Sequence, residues 1–176
     1  MFEPDPVMRV WLAGVRYAPS AVLALALRGR IPANYFGISI PRHEPGSDLV
    51  AVCVQHQKTA GLVPEDRSLL LCLGAPAVNA ALLAQPEIAV DRMIAAVKKL
   101  LPDTRQRITY AKLYRHEDGY PLFYPGYLQH LRTFPRSGAQ TQRVVLAGDY
   151  LVSPTVEGAI RSGERAAAQL ADQLRG

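Results

Sequence analysis

Very little in this sequence braces it from outside. Two cysteines in 176 residues, Cys53 and Cys72, make no disulfide framework. Each sits in an apolar, strand-like run, so both read as buried free thiols. No apolar run is long enough to span a bilayer: the most apolar window, residues 69–84, is broken by Gly74, Pro76 and Asn79. The opening Met1-Phe2-Glu3-Pro4-Asp5-Pro6 has no basic region and no apolar core, so no signal peptide is expected there. These absences lead us to expect a cytoplasmic chain with at most peripheral membrane contact. The four histidines, His43, His56, His116 and His130, have no metal-ligand spacing, so no metal site is expected. His116-Glu117-Asp118 reads as a solvated polar turn. Charge is not concentrated either. The net charge is +5, but only Lys98 and Lys99 are adjacent, which argues against a nucleic-acid partner. There is no internal repeat, and neither Ser153 nor Ser162 lies in a nucleophile-elbow pattern.

What is present fits an ordinary globular chain, 49% hydrophobic and 20% charged, long enough to bury a core. Residues 6–12 can form a short helix. Residues 21–27 (AVLALAL) alternate as a buried strand does, and strands are also expected at 35–40, 49–54, 68–73 and 108–115. Turn chemistry at 42–48 makes the second and third a hairpin. A short helix is expected at 76–84. A longer one at 86–101 starts on Pro86, stops at Pro102 and buries Val90, Met93, Ile94, Val97, Leu100 and Leu101. Residues 125–131 suggest a helical turn and 133–142 a loop. Lys112, on the strand at 108–115, reads as a surface lysine.

The last segment differs in character. Residues 143–147 (RVVLA) read as a short buried strand. Gly148 and Asp149 end it, and a helix is expected over about 156–174. Val156, Ile160, Gly163, Ala167, Leu170 and Leu174 form its apolar stripe, and Glu157 with Arg161 has ion-pair spacing on the other face. The expected fold class is therefore α+β. A mostly antiparallel sheet with helices occupies residues 1–142, and a strand-helix segment of α/β type occupies 143–176.

The chemistry-bearing pattern lies in that segment. Asp149 stands at the carboxyl end of the expected strand, where ligands bind in open α/β sheets. A carboxylate there can accept hydrogen bonds from sugar-like hydroxyls. Val156, Glu157, Gly158 and Ala159 open the helix, where unpaired amides and the helix dipole favour negative charge. Gly158 and Ala159 are small enough for a flat ring to approach. Taken singly, each feature also serves tight packing; their order and spacing favour a site.

Those residues carry a resemblance. Val145-Leu146-Ala147-Gly148-Asp149-Tyr150, followed by Ser153-Pro154-Thr155-Val156-Glu157-Gly158-Ala159-Ile160-Arg161-Ser162-Gly163-Glu164-Arg165-Ala166-Ala167, is similar to the closing FAD motif of the amine oxidase superfamily. That superfamily includes monoamine oxidases, protoporphyrinogen oxidases and phytoene desaturases. More loosely, Tyr35-Phe36-Gly37 through Pro41-Arg42 resembles the substrate-domain hairpin of protoporphyrinogen oxidase-like members. Tyr120-Pro121-Leu122-Phe123-Tyr124-Pro125-Gly126-Tyr127 resembles the stretch that precedes the closing segment.

The resemblance implies FAD as cofactor. Gly148 and Asp149 would lie at the ribityl chain, and Val156, Glu157, Gly158 and Ala159 at the flavin ring. Tyr124 and Tyr127 would face the substrate, an apolar, tetrapyrrole-like or polyene-like molecule. No catalytic base is assigned. The G-x-G-x-x-G unit that grips the FAD pyrophosphate in this superfamily does not occur in the sequence. The chain is thus expected to be the C-terminal portion, or one subunit, of an oxidoreductase and inactive when isolated. Its expected partner is an N-terminal FAD-binding half, or a second copy through self-association. The alternative is a non-catalytic binding or partner module derived from such an enzyme.

Overall fold

The alternation seen in residues 21–27 is realised over a longer strand. In the computed structural model of the chain, which describes residues 6–41, 48–76, 79, 84–134 and 144–175, strand β1 runs Tyr17–Arg28. Its odd positions Ala21, Leu23, Leu25 and Leu27 are buried, and the even positions between them are half-buried. The other strands are β2 (Gly37–Ser39), β3 (Leu49–Val54), β4 (Arg67–Gly74) and β5 (Ile108–Pro121). The helices are α1 (Pro6–Leu12), α2 (Pro86–Leu100), α3 (Tyr127–Arg132) and α4 (Val156–Arg175). Short 3-10 turns span Gln55–Gln57, Pro102–Arg107 and Asp149–Leu151. The turn expected at 42–48, the helix expected at 76–84 and the loop expected at 133–142 fall largely outside the described residues.

The chain divides into two units, Pro19–Gly119 and the pairing of Met1–Ala18 with Tyr120–Gly176. The first holds the sheet, in the order β2-β3-β4-β1-β5. β2 pairs antiparallel with β3, as the hairpin reading requires, and β4 pairs antiparallel with both β3 and β1. One sheet face, with Leu23, Leu25, Leu27, Val52, Val54, Leu70 and Cys72, packs on Ala89, Met93, Ala96 and Val97 of α2. Each fully buried leucine or valine contributes about 1.5–3 kcal/mol of transfer free energy. Val90, Ile94, Leu100 and Leu101 border this core half-buried, so the stripe expected for α2 faces the sheet. Arg92 on α2 donates to both Asp48 carboxylate oxygens, at 2.9 and 2.5 Å, and so ties the helix to the start of β3. At the end of β1, Gly29 adopts φ 74°, a left-handed conformation that favours glycine. Arg107 clamps that bend by donating to the carbonyls of Arg28 and Arg30.

One expectation changes at β5. β5 extends to Pro121, so His116, Glu117 and Asp118 are strand residues, not a turn. β5 is the edge strand, and its side chains are mostly exposed, so polar residues ride it without a desolvation cost. Lys112 is on this surface strand, its Nζ 4.8 Å from the centre of the Tyr114 ring.

In the second unit, residues 144–147 carry no strand pairing among the described residues. Of the strand expected at 143–147, residues 144–147 therefore do not form it, because a strand needs a neighbour to take its N–H and C=O groups, and Arg143 lies outside the described residues. Helix α4 forms as expected but turns a different face inward. Gly158, Ser162 and Ala166 are buried, while Val156, Ile160 and Leu174 are 78%, 53% and 82% exposed. The helix lies against backbone of the preceding loop, and only small side chains admit so close an approach: a Cβ on Gly158 would overlap the Ser153 carbonyl.

Candidate functional site

Asp149 opens the short turn Asp149–Leu151, which packs against α4. The turn is closed by Leu151 N–H to Gly148 O and Val152 N–H to Asp149 O, both at 3.1 Å. Gly148 N–H donates to the Ser162 hydroxyl at 2.9 Å, fastening the loop to the helix. Glycine is needed at 148 because a side chain would run into the Tyr150 ring. The Asp149 carboxylate is half-buried and has no hydrogen-bond partner among the described residues. It lies near enough to the hydroxyls of Tyr127 and Tyr150 to oppose their ionisation.

The start of α4 is capped from within. Thr155 Oγ1 accepts from Gly158 N–H and Thr155 O accepts from Ala159 N–H, both at 3.0 Å. The Ser153 and Thr155 hydroxyls are 2.9 Å apart. Of the four first-turn amides, those of Val156 and Glu157 alone lack a partner among the described residues. The Glu157 carboxylate is not free: it accepts from Arg161 Nε at 2.7 Å, the ion pair that the spacing indicated. Val156, Glu157 and Ala159 are exposed and Gly158 is buried. Gly158 thus makes room first for the chain's own Ser153.

Tyr124 and Tyr127 bracket a turn. Tyr127 N–H donates to Tyr124 O at 2.9 Å, and Gly126 between them has φ 92° and ψ −11°, the type II geometry that calls for glycine. Tyr124 donates its hydroxyl to Gly14 O at 2.9 Å, and the Arg16 guanidinium lies 4.9 Å from the centre of its ring. Tyr127 departs from expectation. It is completely buried, its ring packed on Phe123, Tyr124 and His130, and its hydroxyl donates to Tyr150 O at 2.9 Å. Such a side chain belongs to the packed interior and not to an open surface. Burial, with lesser contributions from Tyr124, Tyr17, Tyr150 and Asp149, pushes its phenol up to about 12. Burial also raises Tyr150, helped by Tyr17 and Asp149.

Ser153, Thr155 and Ser162 are the residues that sequence reasoning passed over. Thr155 was findable: a threonine three residues before Gly158, at the head of an amphipathic run, has the spacing of a helix cap. A cleft of ≈360 Å³ opens beside the buried face of α4, with Leu131, Phe134, Val145, Ser162 and Arg165 among its walls. Neither Asp149 nor the first turn of α4 lines it. Among the described residues, no cluster of His, Cys, Asp or Glu could hold a metal ion. No helix among them is long and apolar enough to cross a membrane.

The sequence pattern of a family described as flavin containing amine oxidoreductase matches residues 1–171. No curated protein matches the chain at a significant level. Solved structures do. A protein of Exiguobacterium sp. 255-15 assigned as a protoporphyrinogen oxidase is 15% identical, with a TM-score of 0.71, over 94% of this chain and 36% of its own. A protein from Pyrococcus furiosus is 14% identical, with a TM-score of 0.59, over 95% of this chain and 35% of its own. A reduced UDP-galactopyranose mutase is 20% identical, with a TM-score of 0.54, over 70% and 26%. At these identities the likeness is one of fold. The chain spans about a third of the length of the structures it matches.

Proposed function

From the premise that the chain belongs to the flavin containing amine oxidoreductase family, we propose that it supplies the closing part of an FAD site in an oxidoreductase acting on an apolar substrate. A flavin cofactor goes with the family; FAD and the substrate class are our reading. One observation carries it. The Asp149 carboxylate is half-buried and unpartnered among the described residues, on a turn that packs against α4.

The residues present fit the cofactor. A carboxylate with open acceptor sites suits the hydroxyls of a ribityl chain. The amides of Val156 and Glu157, unpartnered among the described residues, suit an electron-rich ring edge, with the dipole of a 20-residue helix behind them. Thr155 holds that first turn in shape, and Ser162 holds Gly148. The flavin, when bound, supplies the redox chemistry by accepting hydride from the substrate. Tyr124 is our candidate for a substrate-facing residue, with Tyr127 behind it as support.

The pyrophosphate-gripping glycine unit must come from elsewhere, in a longer polypeptide or in a partner chain, and residues 143–176 would close over what that half holds. Self-association would cover the exposed apolar residues of α4 but would bring no glycine unit. Alone, the chain should be inactive. Two free thiols, with burial raising Cys53 and pushing Cys72 up to about 12, suit a cytoplasmic protein.

A second reading, a non-catalytic partner module, draws on the exposed Val156, Ile160 and Leu174 of α4, which offer an apolar strip to another protein. The visible spectrum of the purified chain, with and without added FAD, separates the two. Flavin bands that weaken on Asp149→Asn support the FAD reading. A folded chain that takes up FAD equally well with Asp149→Asn, or takes up none even when joined to a half carrying the glycine unit, supports the module.

A further inference from the structure

A three-residue 3-10 turn has little stability of its own, because two short hydrogen bonds do not repay the ordering of its backbone. Yet Asp149 sits in such a turn, and a carboxylate that is to meet a ligand must be held to within about 0.5 Å. The structure shows what holds it. On one flank, Gly148 N–H is fixed by the Ser162 hydroxyl. On the other, Tyr150 O is fixed by the Tyr127 hydroxyl, which is the one group among the described residues that binds this carbonyl. Between these two grips stands Asp149.

Tyr127 is itself immobile. It is fully buried and its ring is wedged against Phe123, Tyr124 and His130. Its backbone opens α3 directly after the Gly126 turn, whose carbonyl accepts from His130 N–H at 3.0 Å. We propose that Tyr127 is a positioning residue: through its hydroxyl it transmits the rigidity of α3 to the Asp149 turn and so presents the carboxylate to the cofactor. This rests on the reading that Asp149 holds FAD. The hydroxyl does the positioning and the ring does the packing, so Tyr127→Phe separates the two roles.

The test compares the full chain with Tyr127→Phe, with Asp149→Asn and with Tyr110→Phe, an exposed tyrosine on β5. Three measurements are made on each: amide hydrogen exchange at Leu151 and Val152, the melting temperature, and FAD titration followed by the visible flavin band. Loss of one hydrogen bond corresponds to roughly 5–10-fold in an equilibrium. Tyr127→Phe should therefore speed exchange at Leu151 and Val152 by about that factor and weaken FAD uptake by about as much, with a blurred flavin band. Its melting temperature should fall by only about 2–4 °C, and Tyr110→Phe should change nothing. Unchanged exchange in Tyr127→Phe overturns the proposal whatever FAD does. Faster exchange with wild-type FAD affinity, while Asp149→Asn binds weakly, also overturns it and leaves the FAD reading standing. If Asp149→Asn takes up FAD as wild type does, the FAD reading fails; if no form takes it up, uptake needs the missing glycine-bearing half, and in either case the exchange data decide whether Tyr127 grips the turn.

Discussion

Trp11 and His130 bind each other twice and stack as well. The indole N–H donates to the His130 carbonyl at 2.9 Å, the His130 Nε2 lies 3.0 Å from the Trp11 carbonyl, and the rings are 4.6 Å apart and 7° from parallel. For the carbonyl to accept, Nε2 must carry the proton, which fixes the tautomer. Gly14 belongs to the same arrangement, since a Cβ there would meet His130 Cε1 at 2.5 Å. Phe134 closes the edge of the indole at 4.7 Å.

Removing either ring should therefore unfasten α1 from α3. Trp11 is 5% exposed, and Trp11→Ala should cost about 3–5 kcal/mol in urea unfolding. Gly14→Ala should also destabilise, by forcing His130 aside. Trp11 is the single tryptophan, so its fluorescence reports the pairing directly. His130→Ala should change its intensity and emission maximum. An emission spectrum unaltered in His130→Ala would show that the stack is absent in solution.

A second expectation concerns alkaline pH. The Tyr127 phenol is raised to about 12 in the folded chain, against about 10 for an ordinary tyrosine. The folded state thus holds this proton more tightly than the unfolded state. The resulting stability is fully present below about pH 10 and is lost as pH rises toward about 12. Wild type should lose stability across that window, and Tyr127→Phe should lose less of it. Denaturant midpoints measured at several alkaline pH values decide this. Parallel curves for the two proteins would contradict the burial of the phenol.

The cap of α4 gives a third. Thr155→Ala removes the acceptor for Gly158 N–H and should cost about 0.5–2 kcal/mol. Gly158→Ala should cost more than a surface substitution, because its Cβ would overlap the Ser153 carbonyl and the loop must shift. Helix content by circular dichroism, followed through urea unfolding, reports both. A Gly158→Ala chain as stable as wild type would mean that the loop lies farther from the helix.

Fourth, the inward face of α4 can be tested by paired substitutions. Ile160 is 53% exposed, and Ile160→Glu should change stability by no more than about 0.5 kcal/mol. Ala166 is 9% exposed, and Ala166→Leu should overpack and cost about 1–3 kcal/mol. An inward Ile160, as the apolar stripe read from spacing has it, would make Ile160→Glu the costlier change. Thermal melts of the two variants therefore discriminate between the faces.

Much of the fold was legible before any coordinates. Pro86 and Pro102 bracket a helix because one suits a first turn and the other cannot continue a last one, and α2 forms between them. The alternation in β1 named its buried leucines, and the Glu157–Arg161 pair followed from spacing alone. Asp149 and the opening residues of α4 stood out by order and spacing. Their supports did not. Ser162 and Tyr127 bind backbone groups 14 and 23 residues away in sequence, and no residue type announces such a contact. The length of β5 was hidden because His116, Glu117 and Asp118 resemble turn residues, while an exposed edge strand accepts them at no cost.

Residue order fixed what acts over a few positions: where helices start and stop, which strands alternate, and which turns require glycine. Those effects are steric and local, so they survive in any surroundings. Packing settled the rest. Whether α4 buries its apolar stripe or its small residues depends on what lies against it, and a backbone loop held by Ser162 and overlaid on Gly158 selects the small side. Tyr127 is buried for the same reason. Its hydroxyl had a carbonyl to bind only after chain segments far apart in sequence had come together.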